Sequence, residues 1–356
     1  MITVTYQVAA SGQPQPNPRH RVLRAVPKVS LHCHLLGSVR AQTVVELAGK
    51  HDISLDGRSA ENLYDHASYE DLGEFLRVLD VVGSVVRDLD DLHRITYESL
   101  IDAADHQVLY REIQISPPGH GGVPYRRLLD GITAGMRDAR TDAGIDSRIV
   151  VGLNREQSVA AADALLDDII EQRIDEVVGI GLDYAEALGP PEPFAPVFQR
   201  AASAGLQRTA HSETGPPRHI EILLDELGCS RIDHGYHVVD NDRITRRCAE
   251  EGVPFICTPV SSDIGRYSGS GDGSHRRIAQ MVNAGLAIAI DSDDPPMFGT
   301  DPTRDLIALS DALGYGLEQF ERFTHTAVDA TWLDDTDRAA LRQHVERQFT
   351  ALKEIP

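Results

Sequence analysis

His32 and His34 flank one residue in SLHCHLLGS (30–38). Strand side chains alternate faces, so on a strand both imidazoles point the same way. Further along, His211 is followed by Ser212 and Glu213, His234 sits in DHGYH, and Asp291, Asp293 and Asp294 crowd DSDDPP. Each feature alone has an ordinary reading. An H-x-H pair says little in a chain with 15 histidines, and acids before Pro-Pro often cap a helix or close a turn. Together they offer three histidines and an aspartate, the nitrogen and oxygen donors of a catalytic zinc that keeps one position open for water.

Such donors must be brought to one place by the elements that carry them. Short apolar or β-branched runs recur at 29–35, 109–117, 148–154, 177–185, 206–212, 231–236, 254–261 and 286–292. Longer stretches with helical spacing separate them, such as AADALLDDIIEQRI (161–174). Strand–helix alternation implies a parallel sheet with crossover helices, and eight units point to a (β/α)8 TIM barrel. A doubly wound open sheet is the alternative, weakened because no G-x-G-x-x-G opens a helix. Barrel chemistry lies at the C-terminal ends of the strands, where the histidines and acids fall. The stretch 36–108 reads as a helical insertion after the first strand, forming a lobe over one mouth. Residues 1–20, rich in Gln, Pro, Ser and Gly, read as a flexible arm. Residues 21–356 read as a single metal-dependent hydrolase domain.

Composition narrows the partners. The net charge of −21 repels nucleic acid and anionic membranes. The N-terminus carries no signal-peptide pattern, and no apolar run is long enough to span a membrane. The four cysteines (Cys33, Cys229, Cys248 and Cys257) form no C-x-x-C and read as free thiols, which fits a cytoplasmic location. Cys33 should face away from His32 and His34, into the core.

PKVSLHCHLLGS, TAHSETG, RIDHGYH and AIDSDDPPMF resemble, in order, the signature blocks of the adenosine deaminase family. YREIQISP and PPEPFAPVF resemble secondary blocks, so the likeness runs from about Pro27 to Phe298. It implies a zinc (β/α)8 barrel that hydrolyses an exocyclic amine from a purine. By the same resemblance His32, His34, His211 and Asp293 hold zinc, and His234 orients and deprotonates the attacking water. Asp293 also lies near that water. Glu213 protonates the ring nitrogen beside the attacked carbon, which requires a carboxyl pKa raised by burial. Asp294 shares a hydrogen with the imidazole nitrogen of the purine, and Gly37 lets the backbone approach the substrate. Binuclear relatives bridge two metals through a lysine on the fourth strand. The only lysines here are Lys28, Lys50 and Lys353, so one zinc per chain is expected. The other zinc deaminase class needs P-C-x-x-C, which is absent.

Three departures bear on the substrate. Leu36 stands where the family has an aspartate that meets the ribose 5′-hydroxyl, which argues against a free 5′-hydroxyl. Tyr184 stands at a glycine position whose amide faces the purine, and its ring either walls the pocket or enters the helical shell. HSE is one residue shorter than H-A-G-E, so the loop must bend differently to bring Glu213 to the ring. Gln114 replaces an arginine and reads as a lost support pair near Glu112. The expected activity is zinc-dependent hydrolytic deamination of an adenine nucleoside or analogue with release of ammonia. 5′-Deoxyadenosine, 5′-methylthioadenosine and aminodeoxyfutalosine are candidates beside adenosine. The rivals are hydrolysis of a non-purine amide or lactone on the same scaffold, and a catalytically altered homologue. The expected partner is a small purine nucleoside-like molecule, and a homo-oligomer is left open.

Overall fold

The longer strands of this chain are buried along nearly their whole length on both faces, which suits parallel strands covered by helices. The computed structural model describes residues 18–66, 69, 71–264 and 273–354. The expected arm lies mostly outside the described residues. Its last three residues instead begin a helix, α1 (Pro18–Ala25).

The strands are β1 (Lys28–His34), β2 (Val108–Ile115), β3 (Asp146–Asn154) and β4 (Val177–Asp183). The fifth, β5, is split into Gln207–Arg208 and His211–Ser212, and β6 (Ile232–His234), β7 (Pro254–Cys257) and β8 (Ala287–Ile290) follow. All neighbours pair in parallel and in sequence order. Across the split in β5, Thr209 N donates to Ile180 O at 3.0 Å and Asp233 N to Ala210 O at 3.0 Å, so the sheet continues.

Closure between β8 and β1 is made largely by one side chain. Asp291 accepts from Leu31 N at 2.5 Å and His32 N at 2.6 Å, and from Ser30 Oγ at 3.0 Å. Just beyond, His34 N donates to Asp293 O at 3.1 Å and Asp293 N to His32 O at 3.2 Å. The cylinder is therefore closed, and the open-sheet alternative falls.

Between β1 and β2 lie α2 (Ala41–Lys50), α3 (Leu72–Val85) and α4 (Leu89–Asp105). Asp88 caps α4 with a reciprocal bond to Asp91, which fixes its start. α3 sets Leu72, Phe75, Leu76 and Leu79 against the cavity at the strand ends. Inside the barrel, Arg231 pairs with Glu112 at 2.6 Å, both fully buried, and its guanidinium stacks 3.7 Å over Trp332. No helix among the described residues is long and apolar enough to cross a membrane. All four cysteines are free and buried. Cys33 touches Ser38 Oγ at 3.1 Å, away from the histidines, and burial pushes its thiol up to about 12.

Candidate metal centre and its cavity

β1 carries His32 and His34 on one face, the end of β5 carries His211, and the turn after β8 carries Asp293. Their donor atoms all lie within 4.8 Å of one another. His34 Nε2 is 3.2 Å from His211 Nε2, and Asp293 Oδ1 is 3.3 Å from His32 Nε2 and 3.5 Å from His34 Nε2. Zinc–donor bonds of about 2.0–2.1 Å arranged tetrahedrally put donors roughly 3.3–3.4 Å apart, so the set fits this ion. The electrostatics fit too. Burial draws His34 down to about 4 and His211 well below its usual range, so both present lone pairs. His32 is buried, yet Asp233 and Asp293 on either side raise its pKa well above the ordinary value. A cation is wanted there.

The partners behind the donors hold their orientation. Asp233 Oδ1 lies 3.4 Å from His32 Nδ1, and Oδ2 lies 3.9 Å from His211 Nδ1. Gln114 Nε2 donates to Asp233 at 3.3 Å. Gln114 therefore supports the metal side of the cavity, whereas Glu112 has Arg231; the expected pairing defect near Glu112 does not exist. Ser261 Oγ donates to the second oxygen of Asp293 at 2.6 Å.

His234 lies beside this set, its ring centre 4.6 Å from that of His32. Its Nδ1 meets Thr258 Oγ1 at 3.1 Å, and burial lowers its pKa to about 4. Glu213 Oε1 is 3.7 Å from that Nδ1 and accepts from Ser262 Oγ at 2.5 Å. Burial pushes the Glu213 carboxyl well above the usual range, with Asp293 and Glu186 adding to the rise. The shortened HSE turn is held by Glu186, whose Oε1 accepts from the backbone N–H groups of Glu213 and Thr214.

Ser261 and Ser262 come from a helix the sequence reading missed. The run 254–261 was expected as strand, but β7 stops at Cys257 and a further helix, α5 (Pro259–Ile264), begins at once. Proline is well suited to a first helical position.

Asp294 is buried beside Asp293. Burial, then the Asp293 charge, raises its pKa well above the ordinary value, and its Oδ1 has no hydrogen-bond partner. Gly37 does not line the cavity. A Cβ there would collide with the Asp294 carboxylate, so the glycine makes room for Asp294. Leu36 and Tyr184 do line the cavity, which settles the two orientations considered for the tyrosine in favour of the wall. Tyr184 has φ +69°, His234 +64° and Asp293 +63°. Such left-handed non-glycine residues are costly and concentrate at functional sites. The cavity encloses about 870 Å³ of space, the open solvent at its mouth included.

Sequence reasoning overlooked Asp183, which ends β4 inside this cavity. It is 3% exposed, burial pushes it up to about 7, and Ser116 Oγ donates to it. A charged residue ending a barrel strand was the available signal. A second donor group, His51 with Asp88 and Asp91, lies elsewhere. Lys50 neutralises it at 2.8 and 2.6 Å, and both acids cap α4.

Comparison with known proteins is consistent with this geometry. The family model described as adenosine deaminase matches residues 27–348. An adenine deaminase of Vibrio parahaemolyticus is 32% identical over 91% of this chain and 96% of its own length. A zinc-bound amidohydrolase from Burkholderia ambifaria superposes with TM-score 0.88 at 33% identity, covering 97% of this chain and 96% of that one. Adenine deaminase from Arthrobacter aurescens gives TM-score 0.85 at 28% identity over 90% and 98%.

Proposed function

Because this chain belongs to the adenosine deaminase family, we propose that it is a zinc-dependent hydrolase that removes the exocyclic amine of an adenine ring as ammonia. The observation that carries this reading is the placement of Glu213 and His234 in one cavity with the donor set His32, His34, His211 and Asp293. When bound by those four residues, zinc lowers the pKa of water toward neutrality.

The other steps belong to side chains. His234, neutral and held at Nδ1 by Thr258, takes a proton from the attacking water. Glu213, kept protonated by burial, donates to ring N1, which makes C6 electron-poor. Asp294 shares a hydrogen with N7. The water oxygen bonds to C6 and the C6–N bond breaks: the amine leaves as ammonia with the proton that His234 took, and the second proton of the water returns to Glu213 as the C6 oxygen becomes the carbonyl. One zinc per chain agrees with a fourth strand that bears no lysine.

Leu36, 6% exposed, favours a second, narrower reading. With Phe75, Leu79 and Phe298 it makes an apolar wall, a poor partner for a 5′-hydroxyl. 5′-Deoxy or 5′-substituted adenosines, aminodeoxyfutalosine included, fit such a wall. So does a compound with no ribose. The test is a panel of adenine, adenosine, 5′-deoxyadenosine, 5′-methylthioadenosine and aminodeoxyfutalosine with the zinc-loaded protein. Turnover is followed by the ultraviolet change as amine becomes carbonyl, and by ammonia. Turnover of at least one member, lost in His234→Ala and after chelation, is expected. Silence across the panel overturns the reading.

A further inference from the structure

Asp183 and Ser116 have no part in the scheme above, yet they are built into the cavity. They come from β4 and from just after β2, across the mouth from β6 to β8, which carry His234, Asp293 and Asp294. Ser116 engages Asp183 Oδ2, while Oδ1 is buried with no hydrogen-bond partner. Gly152 on β3 lies behind them. A Cβ there would collide with Asp183 Oδ2 and stand 2.7 Å from Ser116 Oγ, so the pair exists only because this position lacks a side chain. Arg155 braces the strand ends without reaching the carboxylate. It donates to the carbonyls of Asp183 at 3.2 Å, Leu182 at 3.1 Å and His211 at 2.9 Å. A buried carboxylate oxygen left unpaired is unfavourable unless a ligand supplies a donor.

The adenine ring has such a donor in only one of its forms. With the amine toward the metal donors, N1 toward Glu213 and N7 toward Asp294, the N3–N9 edge faces away from the metal, toward β2–β4. A free base carries N9–H on that edge. A nucleoside carries a sugar there and has no donor. We propose that Asp183, held by Ser116, accepts the N9–H of a free purine base and so selects the base over its nucleosides. The proposal rests on the adenine-ring reading. It also gives Leu36 a simpler meaning, since the apolar wall then meets no ribose.

The experiment compares adenine with 9-methyladenine, in which a methyl group replaces the N9 hydrogen and which is far smaller than a nucleoside. For the zinc-loaded protein, kcat/KM is expected to favour adenine by about 100-fold or more, as for sites built around a substrate N–H. In Asp183→Ala that ratio should fall to within a few-fold of one, and in Ser116→Ala it should fall about 10-fold. Equilibrium binding of hypoxanthine against 9-methylhypoxanthine provides a second readout. A wild type that accepts 9-methyladenine as readily as adenine overturns the proposal and leaves the deamination intact. So does an Asp183→Ala variant that slows both substrates by one common factor, which marks a structural role. Binding that prefers N9–H and loses the preference in Asp183→Ala, without turnover, keeps the proposal and overturns the reaction. Absence of both binding and turnover overturns both. Should Asp183→Ala fail to fold, the ratio in Ser116→Ala decides.

Discussion

Glu213 shows how much one residue depends on its surroundings. Its carboxyl is raised first by burial, and Asp293 and Glu186 add to the rise against the pull of Ser262. The shift favours the acid form, which a proton donor to the ring must keep. The expected consequence is an alkaline limb in kcat/KM as Glu213 ionises. Glu213→Gln should lose that limb and lower kcat by roughly 10²–10⁴-fold, with purine binding retained. A pH–rate profile of the two proteins checks this, and an unchanged alkaline limb in the variant would remove Glu213 from the donor role. His32, His34, His211, His234 and Asp293 were readable as a group because imidazole and carboxylate chemistry marks them by type. The carboxyl of Asp183 has the same chemistry. It escaped notice because its significance lies in an unpaired oxygen and in the space left by Gly152, neither of which is a property of spacing.

At the scale of elements, the turns matter more than the strands. The strand runs were legible, since β-branched apolar residues recur between amphipathic stretches. Their ends were less so. β5 breaks after Arg208, and α5 starts where strand was expected. The second departure goes with tertiary contacts: Ser261 and Ser262 leave the strand direction to reach Asp293 and Glu213. The HSE turn is short by one residue, and Glu186 compensates by accepting its two amides. Glu186→Ala should therefore lower kcat by about 10–100-fold through loss of Glu213 placement. Zinc content should be unchanged, because His211 remains on β5 beside Asp233. Metal analysis alongside single-turnover rates tests this; zinc lost in parallel with the rate would place the effect on the donor set instead.

For the whole molecule, the barrel interior joins distant parts of the chain through charge. Arg231, just before β6, reaches Glu112 on β2, the carbonyl of Leu31 on β1 at 3.4 Å and that of Ala330 at 3.1 Å. Breaking a buried pair leaves the other charge stranded. Arg231→Met should destabilise the fold by about 3–5 kcal/mol, and Arg231→Met with Glu112→Leu should recover most of that loss. Denaturant unfolding of the single and double variants reads the difference directly. An additive double variant would show that the two charges do not depend on each other.

The seam at Asp291 also bears on the order of events during folding. The carboxylate that closes the cylinder bonds Leu31 across 260 positions of sequence. Asp293, two residues on, is the fourth residue of the proposed metal set, and the other three lie upstream of it. A chain emerging from the ribosome thus carries His32, His34 and His211 long before the last strand exists, and contacts of such range form late. Full four-donor metal affinity appears only when the first and last strands meet. If the proposed set holds zinc, its uptake by a refolding chain is a clock for ring closure, and the chemistry comes only once the shape is finished.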